Sequence, residues 1–64
     1  MKFYQVSYVS GVGQALVIEG ADVASVVAYF NAIEPDAEIC SVIEIADITP
    51  FKMRGMPILK ADAN

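Results

Sequence analysis

The chain has 64 residues, of which eight are acidic, four are basic, one is cysteine and none is histidine, giving a formal charge of −4. An intrachain disulfide is excluded, and Cys40 without histidine offers no zinc or iron ligand set, so neither a metal nor a cofactor is expected. With 56% hydrophobic against 19% charged residues the chain is too apolar for disorder, yet no run reaches the roughly 18 apolar residues of a membrane span.

At this length only about 60% of the unfolded surface can be buried. Extra stabilisation is therefore expected from association, and the apolar excess points to a homo-oligomer. Between Lys2 and Lys52 there is no Lys, Arg or His, so a basic face for extended nucleic acid is missing. The N-terminus lacks the apolar core of a signal peptide, and a cytoplasmic, reduced protein is expected.

KFYQVSYVS at 2 to 10 alternates aromatic and β-branched residues, placing Tyr4, Val6 and Tyr8 on one face of a strand and Phe3, Gln5, Ser7 and Val9 on the other. GVG at 11 to 13 then reads as a hairpin turn into QALVIE at 14 to 19. Leu16 and Ile18 continue one face, Ala15 and Val17 the other. Gly20 and Ala21 break the strand, and Asp22 can cap a helix in which Val23, Val26, Val27, Phe30 and Ile33 follow helical spacing up to the stop at Pro35. A third strand is expected from about Glu38 to Asp47, stopped by Pro50.

These elements predict an α+β fold with order β-β-α-β. Three antiparallel strands in spatial order 2-1-3 carry one helix on one face, and strands 2 and 3 are both edges. The core domain spans 1–48, and residues 49–64 form a C-terminal tail that can pack on a neighbouring subunit. KFYQVSY, the glycine turn, ALVIEGADVASVV and EPDAEICSVIEI together resemble the pattern of very small ββαβ accessory proteins of bacteriophages and mobile elements, over about residues 1 to 46. The resemblance implies a non-enzymatic binding role, often as an oligomer that inhibits or sequesters a host component. No functional residue is carried over from it.

From Val23 to Ile33 the helix has no charged residue, whereas a helix covering a single small sheet should show water a charged outer face. Ala24, Ala28 and Ala32 recur every fourth residue on that outer face, with Tyr29 on its flank. One reading is a close helix contact between copies or with another protein. The other is a neutral surface whose alanines support the helix.

Catalytic groupings are absent from the sequence, and an enzyme is not expected. Cys40 has no neighbouring base and reads as a buried, inert thiol. Glu34, Asp36 and Glu38, followed by Glu44 and Asp47, read as solvated charge that could also face a cation or a basic partner. GVG is too short for a phosphate loop.

TPFKMRGMPIL at 49 to 59 returns positive charge beside apolar residues. In an extended conformation Lys52 and Arg54 face one way and Phe51 and Met53 the other, which would form a clamp for a small anion such as a nucleotide, with Phe51, Tyr4 and Tyr8 as stacking partners. The bland alternative has Phe51, Met53, Met56, Ile58 and Leu59 packing the tail while the two cations pair with local acids. Two functions follow: sequestration of a small anionic ligand at a subunit boundary, or inhibition of a host protein through the acidic surface and an edge strand.

Overall fold

The hairpin forms first in the chain and sets the faces of everything else. A computed structural model describes residues 1–61, beginning with β1 (Lys2–Ser10) and β2 (Val12–Gly20) paired antiparallel, Tyr4 opposite Ile18 and Val6 opposite Leu16. The turn pivots on Gly11, whose φ of 83° lies in the left-handed region that glycine adopts without a Cβ penalty. Strand alternation puts Tyr4, Val6, Tyr8, Leu16 and Ile18 on one face, and all five are buried.

Helix α1 (Val23–Ile33) covers that face with the two buried side chains Val26 and Phe30. Asp22 starts it, its carboxylate accepting a hydrogen bond from the Ser25 N–H at 2.8 Å. At the other end the Glu34 N–H donates to the Phe30 carbonyl just before Pro35. The Phe30 ring lies tilted on Tyr8, centroids 4.8 Å apart, a favoured aromatic geometry. Gly20 lets the helix come close, since a Cβ there would meet the Val26 Cγ2 at 2.8 Å.

Strand β3 (Glu38–Ile45) returns beside β1 and antiparallel to it, Val42 opposite Val6. The register shifts between Ser7 and Tyr8, whose partners are Ser41 and Ile39, leaving Cys40 as the extra residue of a β-bulge. So far the ββαβ unit and its strand order agree with the sequence.

The sheet, however, has four strands in the order β3-β1-β2-β4, and a second short helix is present. Residues expected as a tail form α2 (Thr49–Met53) and β4 (Ile58–Lys60), with β4 parallel to β2. Strand 2 is therefore interior, not an edge, because its outer backbone groups are taken: the Val17 N–H donates to the Pro57 carbonyl at 3.0 Å and the Ala61 N–H to the Glu19 carbonyl at 2.8 Å. The third strand ends at Ile45, short of the expected Asp47, where the chain turns toward α2. Of the expected tail, residues 62–64 lie outside the described residues.

The route of that segment follows from connection handedness. Strands β2, β3 and β4 all run in one direction, so β2-α1-β3 and β3-α2-β4 are both crossovers between parallel strands, and they move across the sheet in opposite senses. Right-handed crossovers in opposite senses must lie on opposite faces. Val17 carries the consequence: alternation points it away from α1, yet it is 0% exposed, so residues 46–57 cover its face. The radius of gyration, 10.9 Å, equals the roughly 10.7 Å of a closed domain of this length. The chain's own C-terminal part thus supplies a fourth strand and a second layer to the small core.

Phe30 is the largest fully buried side chain. Phe30→Ala is expected to cost about 3–5 kcal/mol, comparable with the whole stability of about 3–10 kcal/mol for a domain of this length. Urea unfolding followed by far-UV circular dichroism should show the midpoint moved to much lower urea, by the amount that this loss implies.

Candidate functional site

Lys52 and Arg54 do not form the extended clamp. Lys52 lies inside α2 and Arg54 is its C-cap with helical backbone angles, so the two side chains leave the axis about 200° apart. Local chemistry explains the helix. Asp47 accepts from the Thr49 N–H at 2.9 Å, Pro50 sits in the first turn where its missing N–H costs nothing, and Gly55 ends the helix at φ 73°. The Met56 N–H reaches the Phe51 carbonyl and the Gly55 N–H the Lys52 carbonyl, the paired bonds of a Schellman cap.

The stacking partners are separated as well. Tyr4 and Tyr8 are 3% and 6% exposed beneath α1, and the Tyr8 hydroxyl donates to Gln14 at 3.1 Å. Neither ring offers a face to a ligand, and the sheet stands between them and α2. Phe51 is half-buried, and its ring already carries the Arg54 guanidinium 5.4 Å from the centroid, a cation–π contact. Among the described residues there is no ligand-sized pocket and no group of three His, Cys, Asp or Glu arranged around a cation. No helix is long and apolar enough to cross a membrane.

Cys40 corrects another expectation, being exposed at the bulge rather than buried. The irregular ladder turns its side chain out of the core. On α1, Ala24, Ala28 and Ala32 are exposed and Tyr29 is half-buried against the core, so the uncharged outer face is open in the single chain.

What the structure does bring together lies around β3. This strand is one end of the sheet, and among the described residues its backbone pairs with β1 alone. Glu44 shares the α1 face with Ile39 and Val42, while Glu38, Ser41, Ile43 and Ile45 share the other. Ile43 is 56% exposed. Acidic groups line the whole strand: Glu34 and Asp36 before it, Glu38 and Glu44 on it, Asp47 after it. Lys2 reaches Glu44 at 3.7 Å with both side chains more than half exposed, a contact worth about 0–1 kcal/mol. The other three basic residues lie on α2, at its C-cap and on β4.

The opposite edge differs in every respect. β4 has three residues, follows Pro57 and ends at Lys60. Short length, proline, charge (lysine above all) and bulges are devices that blunt an edge against pairing, and β4 has the first three. β3 has eight residues and neither Lys nor Pro, with the bulge as its one irregularity. The signal for this site in the sequence was the acidic run beside a strand with neither lysine nor proline; which edge would stay open required β4.

Two checks follow. Ala28→Glu is expected to leave stability within about 0.5 kcal/mol of the parent, because Ala28 is exposed in the single chain. A fall in sedimentation mass with the fold intact would mark the α1 face as a contact between copies, and an unchanged mass would remove it. Asp22 and Asp47 are both held below the usual 3.8, first by the backbone N–H of Ser25 and of Thr49, then by those residues' hydroxyls. Unfolding frees both carboxylates to bind protons more tightly, so their stabilisation is complete above 3.8 and is lost as the pH falls through the lower folded values. Melting temperature should drop below pH 3.8, and the double variant Asp22→Asn, Asp47→Asn should show a shallower acid limb.

No family model, curated protein or solved structure matches this chain.

Proposed function

We propose that this chain is a non-enzymatic binding protein that acts by docking on another protein through β3 and the acidic groups beside it. The observation that carries the reading is the asymmetry of the two sheet edges: β4 is guarded by length, Pro57 and Lys60, whereas β3 has eight residues with neither Pro nor Lys and, beyond the bulge at Cys40, a regular five-residue stretch. A binding protein needs an accessible surface of definite chemistry, and this edge combines a backbone that pairs with β1 alone among the described residues, exposed Ile43 and a predominance of acidic groups. The chain has no histidine for acid-base work, which supports binding over catalysis. Sequestration of a small anion has less support, since Lys52, Arg54, Tyr4 and Tyr8 do not converge within one chain. A role as an inhibitor of a host protein fits this surface, because covering a partner's own binding edge requires no chemistry.

The test is a differential capture experiment with immobilised parent, Ile43→Lys and Met53→Lys proteins. Met53 is 83% exposed on α2 and serves as the control position. A protein partner should be retained by the parent and by Met53→Lys and be lost with Ile43→Lys, while all three keep the same circular dichroism. Equal retention by the two lysine variants would remove β3 as the docking surface.

A further inference from the structure

We infer that β3 is completed by strand addition, and that the occupant is an extended segment of another protein in which basic residues alternate with apolar ones. This rests on the docking role assigned to β3 and adds the mode of contact and the chemistry of the partner.

The bulge divides the edge. Beyond Cys40 the ladder with β1 is regular from Ser41 to Ile45, pairing those five residues in unbroken register with Ser7 to Phe3. A regular stretch of this kind presents outward N–H and C=O groups at strand spacing, and an incoming strand satisfies them with its own backbone. Along it, the two faces ask for different side chains. On the α1 side stand Val42 and exposed Glu44; on the far side stand Ser41, exposed Ile43 and half-buried Ile45. A strand laid beside them therefore gains from a cation next to Glu44, whose aliphatic stem also covers Val42, and from apolar side chains next to Ile43 and Ile45. Successive residues of a strand point to opposite faces, so the complementary sequence alternates Lys or Arg with Val, Ile or similar residues.

Charge selects between possible occupants. Glu34, Asp36, Glu38, Glu44 and Asp47 surround the edge, and the one nearby cation, Lys2, is already at Glu44. A second copy pairing through its own β3 would gather both sets of acids at one joint, each chain carrying −4. A second copy arriving through β4 would offer three residues and one cation, Lys60. A basic strand from a different protein meets neither obstacle.

The probes are three synthetic peptides added to the full-length protein: one alternating Lys and Val, one alternating Glu and Val, and the Lys/Val peptide with its central Val replaced by Pro. Proline removes a ladder donor while leaving every charge in place. Affinity is read by fluorescence anisotropy, and the site by amide hydrogen exchange. The Lys/Val peptide should bind and slow exchange at Ser41–Ile45. The Glu/Val and Pro peptides should each bind about tenfold more weakly or worse, as the loss of a charge-assisted or backbone contact implies, and Glu44→Lys should weaken the Lys/Val peptide. Equal binding of the Pro peptide would reduce the contact to charge alone and overturn strand addition, as would protection appearing on α1 or α2. A dimer whose β3 amides are protected before any peptide is added would assign the edge to a second copy and overturn the basic partner. Absence of peptide binding, with the Ile43→Lys capture difference still present, defeats the strand-addition inference alone; loss of that capture difference defeats the docking role itself.

Discussion

Everything else in the molecule depends on one contact, that of Val26 and Phe30 against the face formed by Tyr4, Val6, Tyr8, Leu16 and Ile18. An isolated hairpin is marginal in water, and an 11-residue helix is too short to persist alone. Each becomes stable only by covering the other. Gly20 sets how closely they meet, because a side chain there would push against Val26. With α1 on that face, a right-handed crossover from β2 brings the returning strand to the side of β1.

The C-terminal part then resolves a problem that this first layer leaves open. A three-stranded sheet with one helix has an uncovered face and two bare edges, and Val17 would lie in water. Residues 46–60 close both defects in a single crossing, burying Val17 and pairing β4 with β2. Only one edge can be closed in this way, because the crossing begins at the end of β3. The strand that launches the connection is thus the strand that stays at the end of the sheet, and among the described residues it pairs with β1 alone.

Charge is distributed to match. Acidic residues gather along β3, and three of the four cations lie on α2, at its C-cap and on β4, so the closed edge is guarded by a lysine while the open one carries glutamates. Glutamate on an edge discourages pairing between copies and favours a basic strand. Helix α1 contributes a third kind of surface, one with no charge, whose alanines neither attract nor repel a charged partner. The three surfaces thus differ in chemistry, and among the described residues none of them is a ligand-sized pocket.

The sequence by itself determined the hairpin, the helix from Val23 to Ile33 and most of the first-layer core, because alternation and helical spacing are local patterns; of the expected apolar stripe Val26 and Phe30 are buried, whereas Val23 and Ile33 at the helix ends are exposed. It also determined the acidic character of the segment around β3. What only the tertiary structure decided was the fate of residues 49–60. Phe51, Lys52, Met53 and Arg54 alternate as a strand would, and five residues are too few for helical spacing to contradict that, although Pro50 and Gly55 bracket the helix as Pro near the start and Gly after the end commonly do. Whether Ile58–Lys60 adds to this sheet depends on a parallel pairing with β2, some forty residues earlier, and no local pattern encodes such a pairing. The same pairing decided which edge remains open, and the burial of Tyr4 and Tyr8 decided that their rings serve the core. Both outcomes are set by what packs above a residue, which the order of amino acids along a single element does not contain.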